Sequence, residues 1–347
     1  MKAVAVGKAA ATAAALEGRI ACHDVRDAAG KVAVAKGQTI DAAAAARLLA
    51  LAWGEVHVLK LEPGDLQEEP AGARLASAAA GAGVEVKGYA GGQWTLAASH
   101  RGLLRVRSEA LQAVNALEGM SVFTFYDLQP VEAGEAVAKA KITPLAIPEA
   151  VVKQAEERAW ASAGLVTVTG FEPRVLGAVS RESLEPRQRE RFESSLKEKV
   201  VWFGSRLLPV RYAAGTAASV AADLEALLAD GAQILIAAGA ASLDPLDPMF
   251  AGLRALGGRI ERHGAPAHPG SLLWLGELRG RPVLGMPACG MFSQATSFDL
   301  VLPRMLARER VGNADVAALG HGGLLSRDSA YRFPPYRASA VRGELPE

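Results

Sequence analysis

Several motifs and residue types that mark common protein classes are missing from this sequence. Its two cysteines, Cys22 and Cys289, belong to no CxxC pair, which argues against a disulfide framework or a thiolate metal site and fits a reducing cytosol. There is no GxxxxGK segment followed by Ser or Thr, and no GxGxxG after a strand pattern, so neither a P-loop NTPase nor a Rossmann dehydrogenase is favoured. Aromatic residues make up only 5% of the chain, so burial must come from small side chains on regular elements.

Long apolar runs and an excess of one charge are missing as well. No segment reaches about 18 uninterrupted strongly apolar residues, so we expect no membrane span, and we interpret the Ala-rich start as mature cytoplasmic protein. Lys and Arg total 38 against 37 acidic residues, without a long basic run, which makes nucleic acid an unexpected partner. An anionic small molecule remains compatible, because backbone N–H groups at helix starts bind phosphate without an excess of basic side chains.

The length and the change in pattern along the chain predict two domains and a tail. A chain of 347 residues exceeds the usual domain size of roughly 150 residues. Residues 1–160 mix short strand patterns with helices such as 41–53, which predicts an N-terminal α+β module. Residues 161–312 alternate strands with helices, which predicts an α/β domain with a mostly parallel sheet. Residues 313–347 show no period and are expected to be irregular.

Three turns of the α/β domain are candidate ligand contacts, because ligands of open parallel sheets bind beyond the carboxyl ends of the strands. The turns lie at the ends of the predicted strands 164–170 and 232–240 and before the last helix, at 293–306. The candidate residues are Thr169, Gly170 and Glu172 in the first turn, Gly239, Ala240, Ala241, Ser242, Asp244 and Asp247 in the second, and Pro287, Ala288, Cys289 and Gly290 in the third.

The second turn combines small residues with polar ones. Its small residues allow a close backbone approach, with a phosphate expected at the N–H groups of residues 239–242, and Ser242 could donate to that phosphate. Asp247 could hold Mg²⁺ or orient an attacking group, which makes it the candidate catalytic residue. The alternative is that Asp244 and Asp247 only cap a helix that begins near Pro248.

The order and content of these turns resemble the molybdopterin-binding domain of molybdenum cofactor biosynthesis proteins, namely the molybdopterin molybdotransferases and adenylyltransferases. TGFE at 169–172 is similar to the family's TGDE turn, and AAGAASLDPLD at 237–247 to its TGGxSxGxxD segment. GGRIERHGAPAHPGS at 257–271 is similar to a segment ending in PGK, and GMPACG at 285–290 to GLPGNP. The resemblance covers about 150 residues and adds Pro269, Gly270 and Ser271 to the expected ligand contacts.

The resemblance implies a three-layer α/β/α domain that binds molybdopterin, with Mg²⁺, ATP or molybdate as further ligands and a homo-oligomer as the assembly. Two departures leave its activity open, because Ser271 stands where the family has a lysine and Cys289 where it has an asparagine. The implied enzyme would transfer nucleotide or molybdate. The alternative is a non-catalytic carrier or sensor that delivers the pterin to a molybdoenzyme, and a third hypothesis is a different nucleotide-binding α/β enzyme.

Overall fold

A computed structural model describes residues 1–239, 243–292 and 295–336 of the chain. The chain divides into two compact units. Unit 1 comprises residues 1–100, 104–127 and 133–168, and unit 2 comprises residues 101–103, 128–132 and 169–347. Among the described residues, every helix is too short or too polar to cross a bilayer.

Helices and strands are interspersed along the whole chain. The helices are α1 (Ala13–Leu16), α2 (Ala42–Ala50), α3 (Glu68–Ala79), α4 (Ser108–Asn115), α5 (Glu149–Trp160), α6 (Pro186–Trp202), α7 (Ala217–Ala229), α8 (Pro248–Ala255), α9 (Ala288–Phe292), α10 (Ser297–Leu306) and α11 (Asn313–Ala318). The strands are β1 (Lys2–Gly7), β2 (Ile20–Ala21), β3 (Val25–Arg26), β4 (Val32–Val34), β5 (Glu55–Lys60), β6 (Asp65–Gln67), β7 (Val84–Ala90), β8 (Gln93–Ala98), β9 (Gly102–Val106), β10 (Met120–Thr124), β11 (Pro130–Val131), β12 (Ala136–Ile142), β13 (Ala146–Pro148), β14 (Val166–Gly170), β15 (Val175–Ser180), β16 (Arg206–Leu207), β17 (Arg211–Tyr212), β18 (Ile234–Ala238), β19 (Arg259–His263), β20 (Trp274–Leu278) and β21 (Arg281–Met286).

Local sequence signals set many of these boundaries. The Asp41 side chain accepts a hydrogen bond from the Ala44 N–H at 2.7 Å, which starts α2 where the sequence predicts a helix. Pro186 at the first helical position and the Glu185–Gln188 capping box start α6. The predicted helix and strand types at α2, β5, α6, α7 and β18 are confirmed.

Unit 1 contains several small antiparallel sheets. One has the order β1-β5-β2, another has the order β10-β12-β8-β7, and the pairs β3-β4 and β6-β13 are two-stranded. A further sheet has the order β11-β9-β14. A buried cluster that includes Leu16, Val34, Ile40, Leu48 and Val58 lies between α2 and the first of these sheets. Its side chains are small or branched, as the low aromatic content predicts.

Unit 2 is built on a seven-stranded sheet with the order β16-β15-β18-β21-β20-β19, in which β17 also pairs with β15; we call it the main sheet. Strands β16, β15, β18 and β21 run parallel, and β21-β20-β19 form antiparallel pairs. Two buried clusters lie on its two faces, because side chains alternate along each strand. Ile234, Ile236 and Ala238 belong to the cluster that includes α6 and α10, whereas Leu235 and Ala237 belong to the cluster that includes α7 and α8.

The chain is therefore a mixed α/β protein with several sheets. The mostly parallel three-layer architecture was expected for residues 161–312 alone. Within that range the main sheet has both parallel and antiparallel pairs, and the antiparallel sheets of unit 1 lie in the part of the chain that was expected to be an α+β module. The expectation of an irregular tail is wrong for residues 313–318, which form α11. Val316 and Leu319 are buried in the cluster with α6 and α10, and the Asp315 side chain accepts the Gly312 N–H at 2.8 Å, so apolar burial and a cap stabilise this helix.

Candidate functional site

The carboxyl ends of β15, β18 and β21 lie side by side, and we call this border of the main sheet the carboxyl edge. Strand β15 leads to α6 and β18 leads to α8. Phe192 and Leu196 of α6 pack on one face of the sheet, whereas Phe250 and Leu253 of α8 pack on the other. Two adjacent parallel strands whose following helices go to opposite faces leave a crevice between their carboxyl ends, which is where open α/β sheets bind ligands.

Arg181 and Asp247 face each other across this crevice. Arg181 directly follows β15, and its Nη2 lies 2.7 Å from Oδ2 of Asp247. The Asp247 side chain is fully buried, and its Oδ1 accepts the Met249 N–H at 2.8 Å at the start of α8. The capping role weighed for Asp247 is thus observed, together with an ion pair that the sequence did not predict. Asp244 is exposed and accepts the Leu246 N–H at 2.9 Å.

Gly239 ends β18 in a conformation that favours glycine, with φ at +76°. A Cβ at this position would lie 2.2 Å from Cγ of Glu182, so the Glu182 side chain covers the Cα of Gly239. The Gly239 N–H donates to the carbonyl of Met286 at 3.0 Å and is therefore not open to a phosphate. The candidates Ala240, Ala241 and Ser242 lie outside the described residues.

The predicted turn at residues 287–290 follows β21 and lies beside the start of α10, but the structure differs from the prediction in that residues 288–290 already belong to the short helix α9. The Gly290 N–H donates to the Pro287 carbonyl at 2.8 Å, and a Cβ at Gly290 would lie 3.4 Å from Oγ1 of Thr296. Ala288 and Cys289 are exposed. The bond from Gly239 to Met286 joins this turn to the end of β18, so the second and third predicted turns meet at the carboxyl edge.

The segment at residues 269–271 also reaches this edge. Ser297 donates its N–H to the Pro269 carbonyl at 3.0 Å and its hydroxyl to the Gly270 carbonyl at 2.6 Å. A Cβ at Gly270 would lie 2.2 Å from Oγ of Ser297, so only glycine fits this approach. Ser271 is exposed. The start of α10 therefore contacts both the 269–271 segment and the 287–290 turn.

The first predicted turn lies elsewhere. Glu172 lines a cavity of about 710 Å³ together with Gln233 and Arg281, which are at the amino ends of β18 and β21. We call this border the amino edge. Strand β14, which ends with Thr169 and Gly170, is not part of the main sheet. The structure thus places Thr169, Gly170 and Glu172 away from the other candidates, because β15 and not β14 is the first strand of that sheet.

Two pairs of charged residues at this site were not predicted from the sequence. Arg181 and Glu182 take the position that the first turn was expected to occupy. The apolar run VLGAVS at 175–180 before them is the signal that could have predicted a strand of the main sheet there.

Lys199 and Asp299 form a buried ion pair with Nζ to Oδ1 at 2.5 Å. Asp299 also accepts the Thr296 N–H at 2.9 Å, so Lys199 holds the cap of α10.

A metal site was expected at Asp247. Within residues 1–239, 243–292 and 295–336, no group of three or more His, Cys, Asp and Glu side chains could hold a metal ion. Both carboxylate oxygens of Asp247 already have partners, in the Met249 N–H and the Arg181 guanidinium. Among the described residues, Asp247 therefore forms a fixed cation–carboxylate pair with Arg181, and the expected metal stays a prediction.

The fold and the crevice define a mixed α/β protein with a ligand-binding geometry at the switch point of a parallel sheet. No family model and no curated protein matches the chain. Among solved structures, it is similar to a molybdopterin biosynthesis MoeA protein from Pyrococcus horikosii, at 13% identity over 88% of this chain and 75% of that chain with a TM-score of 0.30. It is also similar to a NadC deletion mutant, at 11% identity over 50% of this chain and 68% of that chain with a TM-score of 0.16. These scores are too low to carry an argument, so the functional case rests on the residues.

Proposed function

We propose that the protein binds molybdopterin, or a phosphorylated or adenylated derivative of it, at the carboxyl edge of the main sheet and acts in molybdenum cofactor biosynthesis. In this proposal residues 161–312 form a three-layer α/β/α molybdopterin-binding domain. One observation carries the proposal: three of the four segments that resemble the family converge at this edge. The bond from Gly239 to Met286 and the contacts of Ser297 with Pro269 and Gly270 join them.

Alkylation of the two cysteines tests the location of the ligand within the intact chain. Cys289 is exposed in the 287–290 turn, whereas Cys22 lies in unit 1 and serves as the internal control. We expect molybdopterin to slow the reaction of Cys289 with iodoacetamide, measured by peptide mass spectrometry, and to leave the rate at Cys22 unchanged. Equal rates at Cys289 with and without saturating molybdopterin would argue against this site.

A titration separates the enzyme from the carrier. Ser271 and Cys289 replace the lysine and asparagine of the resembled motifs, which removes a cation and an amide that would meet an anionic ligand, and this favours a non-catalytic carrier or sensor as the second candidate. Molybdopterin is added to the full chain with and without ATP, Mg²⁺ and molybdate. Adenylated or metallated pterin as a product supports the transferase, and binding without turnover supports the carrier. Affinity for ATP without affinity for molybdopterin would contradict both.

A further inference from the structure

We propose that Arg181 binds the phosphate of the pterin ligand and that Asp247 is the positioning residue that holds its guanidinium. This inference rests on the proposed function, because it names the group that would meet the ligand's phosphate in that crevice. The carrying observation is an arginine at the mouth of the crevice with one donor fixed to a buried carboxylate and another donor unused.

None of the candidate residues in the predicted turns carries a positive charge that would meet a phosphate. The Gly239 N–H is used by the Met286 carbonyl, and Ser271 is an exposed neutral side chain where the resembled motif has a lysine. Binding a phosphate dianion away from bulk water calls for charge-assisted hydrogen bonds. Arg181 is the cation that the structure brings to this position, directly after β15.

The guanidinium of Arg181 has more N–H donors than its contact with Asp247 uses. An arginine side chain carries five N–H donors in a planar fork. One terminal nitrogen lies 2.7 Å from Oδ2 of Asp247, and the side chain is 29% exposed. Its Nε is buried and has no hydrogen-bond partner among the residues that the structure describes. A buried donor without a partner costs free energy, and a phosphate oxygen would recover it once the groups that cover Nε move aside, whereas the exposed part of the guanidinium is open to a ligand without such a change.

Asp247 is fixed more firmly than an ordinary surface carboxylate. It is fully buried, and its second oxygen accepts the Met249 N–H at the start of α8. Rotation of the carboxylate would break that cap, so Asp247 holds the guanidinium plane in one orientation. A carboxylate in this place repels an anion, and for this reason we assign it the positioning of Arg181 and not direct contact with the phosphate.

The other charge at the crevice decides on which side the phosphate lies. The Glu182 side chain covers the Cα of Gly239, where a Cβ would be 2.7 Å from Oε1 of Glu182. The carboxylate therefore disfavours an anion over Gly239. The phosphate lies on the Arg181 side of the crevice, and the uncharged part of the ligand lies towards the 287–290 turn.

The test measures the affinity of purified full-length variants for molybdopterin and the ability of inorganic phosphate to compete with it. Arg181→Met is expected to raise the Kd about 10- to 100-fold, as expected for loss of hydrogen bonds to a charged group. Arg181→Lys retains the positive charge but lacks the planar fork of N–H donors. Its Kd should lie between that of the wild-type protein and that of Arg181→Met. Arg174→Met is the matched control, since Arg174 has a similarly exposed side chain at the amino edge and should leave the Kd unchanged.

The positioning role proposed for Asp247 is tested by a separate variant. Asp247→Asn retains an oxygen that can cap α8 but loses the charge that holds Arg181. We expect the Kd to rise several-fold while phosphate still competes, whereas phosphate should no longer compete in Arg181→Met. An unchanged Kd in Arg181→Met, with wild-type protein binding molybdopterin, overturns this inference and leaves the proposed function intact. Wild-type protein that does not bind molybdopterin overturns the proposed function itself.

Discussion

The two edges of the main sheet differ in how they hold charge. At the amino edge, a cavity of about 710 Å³ is lined by arginine and glutamate side chains that pair with each other near solvent, such as Arg259 with Glu277 and Arg308 with Glu172. At the carboxyl edge, Asp247, Lys199 and Asp299 are all buried. The cavity and these three buried charges therefore lie at opposite ends of one sheet, and the amino edge has a buried charge of its own in Arg304, which pairs with Glu309 of the cavity lining at 2.6 Å.

This difference indicates where function is expected. Exposed ion pairs are solvated and contribute little, so the amino edge is explained as an ordinary polar surface with a hollow. Buried ion pairs often gain no net stability over well-packed apolar residues, because desolvation offsets the attraction. We therefore expect the buried pairs at the carboxyl edge to act mainly by fixing the elements that they join. Cavity volume alone points to the amino edge, whereas the proposed site lies at the carboxyl edge.

The largest effect is expected from breaking the Lys199–Asp299 pair. Lys199 is 1% exposed and Asp299 is 2% exposed, so Asp299→Asn leaves a buried ammonium without its counter-charge. We expect the free energy of unfolding to fall by about 3–5 kcal/mol, measured by urea denaturation. The double variant Lys199→Met/Asp299→Asn removes both charges and keeps an acceptor for the α10 cap. It should recover part of the loss, and a double variant as unstable as the single one would contradict the pairing argument.

A smaller effect is expected at Asp247. Asp247→Ala removes the cap of α8 and the partner of Arg181, and should lower the free energy of unfolding by about 2 kcal/mol. Asp247→Asn keeps a capping oxygen and should lose roughly half as much. Asp244→Ala, in the same turn but exposed, is the control and should change stability by less than about 0.5 kcal/mol. Identical losses for Ala and Asn at position 247 would show that the cap contributes nothing.

Much of the local structure could be predicted from sequence, because caps and periodicity act over a few residues. The Asp41 cap predicts the start of α2, and the helical pattern after Pro186 predicts α6; both helices are present. The order of strands in a sheet depends on distant pairing instead. Residues 166–170 form a strand as predicted, but β15 takes the place in the main sheet that was assigned to them. An apolar run has the same pattern whichever sheet it joins. The pattern therefore could not decide which of the two strands, β14 or β15, belongs to the main sheet.

The candidate site residues have two sources. Gly239 and Pro287 were candidates because small residues and turns after strands leave a local signal, whereas Gly270 was a candidate because its segment resembles the family's PGK segment. Arg181 was missed because a charged residue after a strand is ordinary in sequence, and its meaning depends on Asp247 across the crevice. The same holds for Lys199, whose position in a charged helix predicts a solvated side chain, whereas it is buried against Asp299.

A pH-dependent effect, smaller than that of Asp247→Ala, is expected at Tyr212, which ends β17 at the carboxyl edge. Burial, together with a hydrogen bond from its hydroxyl to Glu193 at 2.9 Å, raises the pKa of Tyr212 above its ordinary value of about 10. The folded protein thus favours the neutral phenol, so this stabilisation is complete below pH of about 10 and is lost as the pH rises further. Urea denaturation at rising alkaline pH should show a steeper loss for wild type than for Tyr212→Phe. If the free energy of unfolding fell equally with pH in the wild-type protein and in Tyr212→Phe, the proposed contribution of Tyr212 would be absent.

The smallest effect is expected at the amino edge. The Arg259 side chain is 59% exposed and pairs with Glu261 and Glu277 at 3.0 and 2.5 Å. Because water solvates these charges, Arg259→Met should change the free energy of unfolding by less than about 1 kcal/mol. It should also leave the affinity for molybdopterin unchanged, since Arg259 lines the cavity and not the crevice. If Arg259→Met weakened molybdopterin binding more than Arg181→Met does, the ligand site would be the cavity at the amino edge and not the crevice at the carboxyl edge.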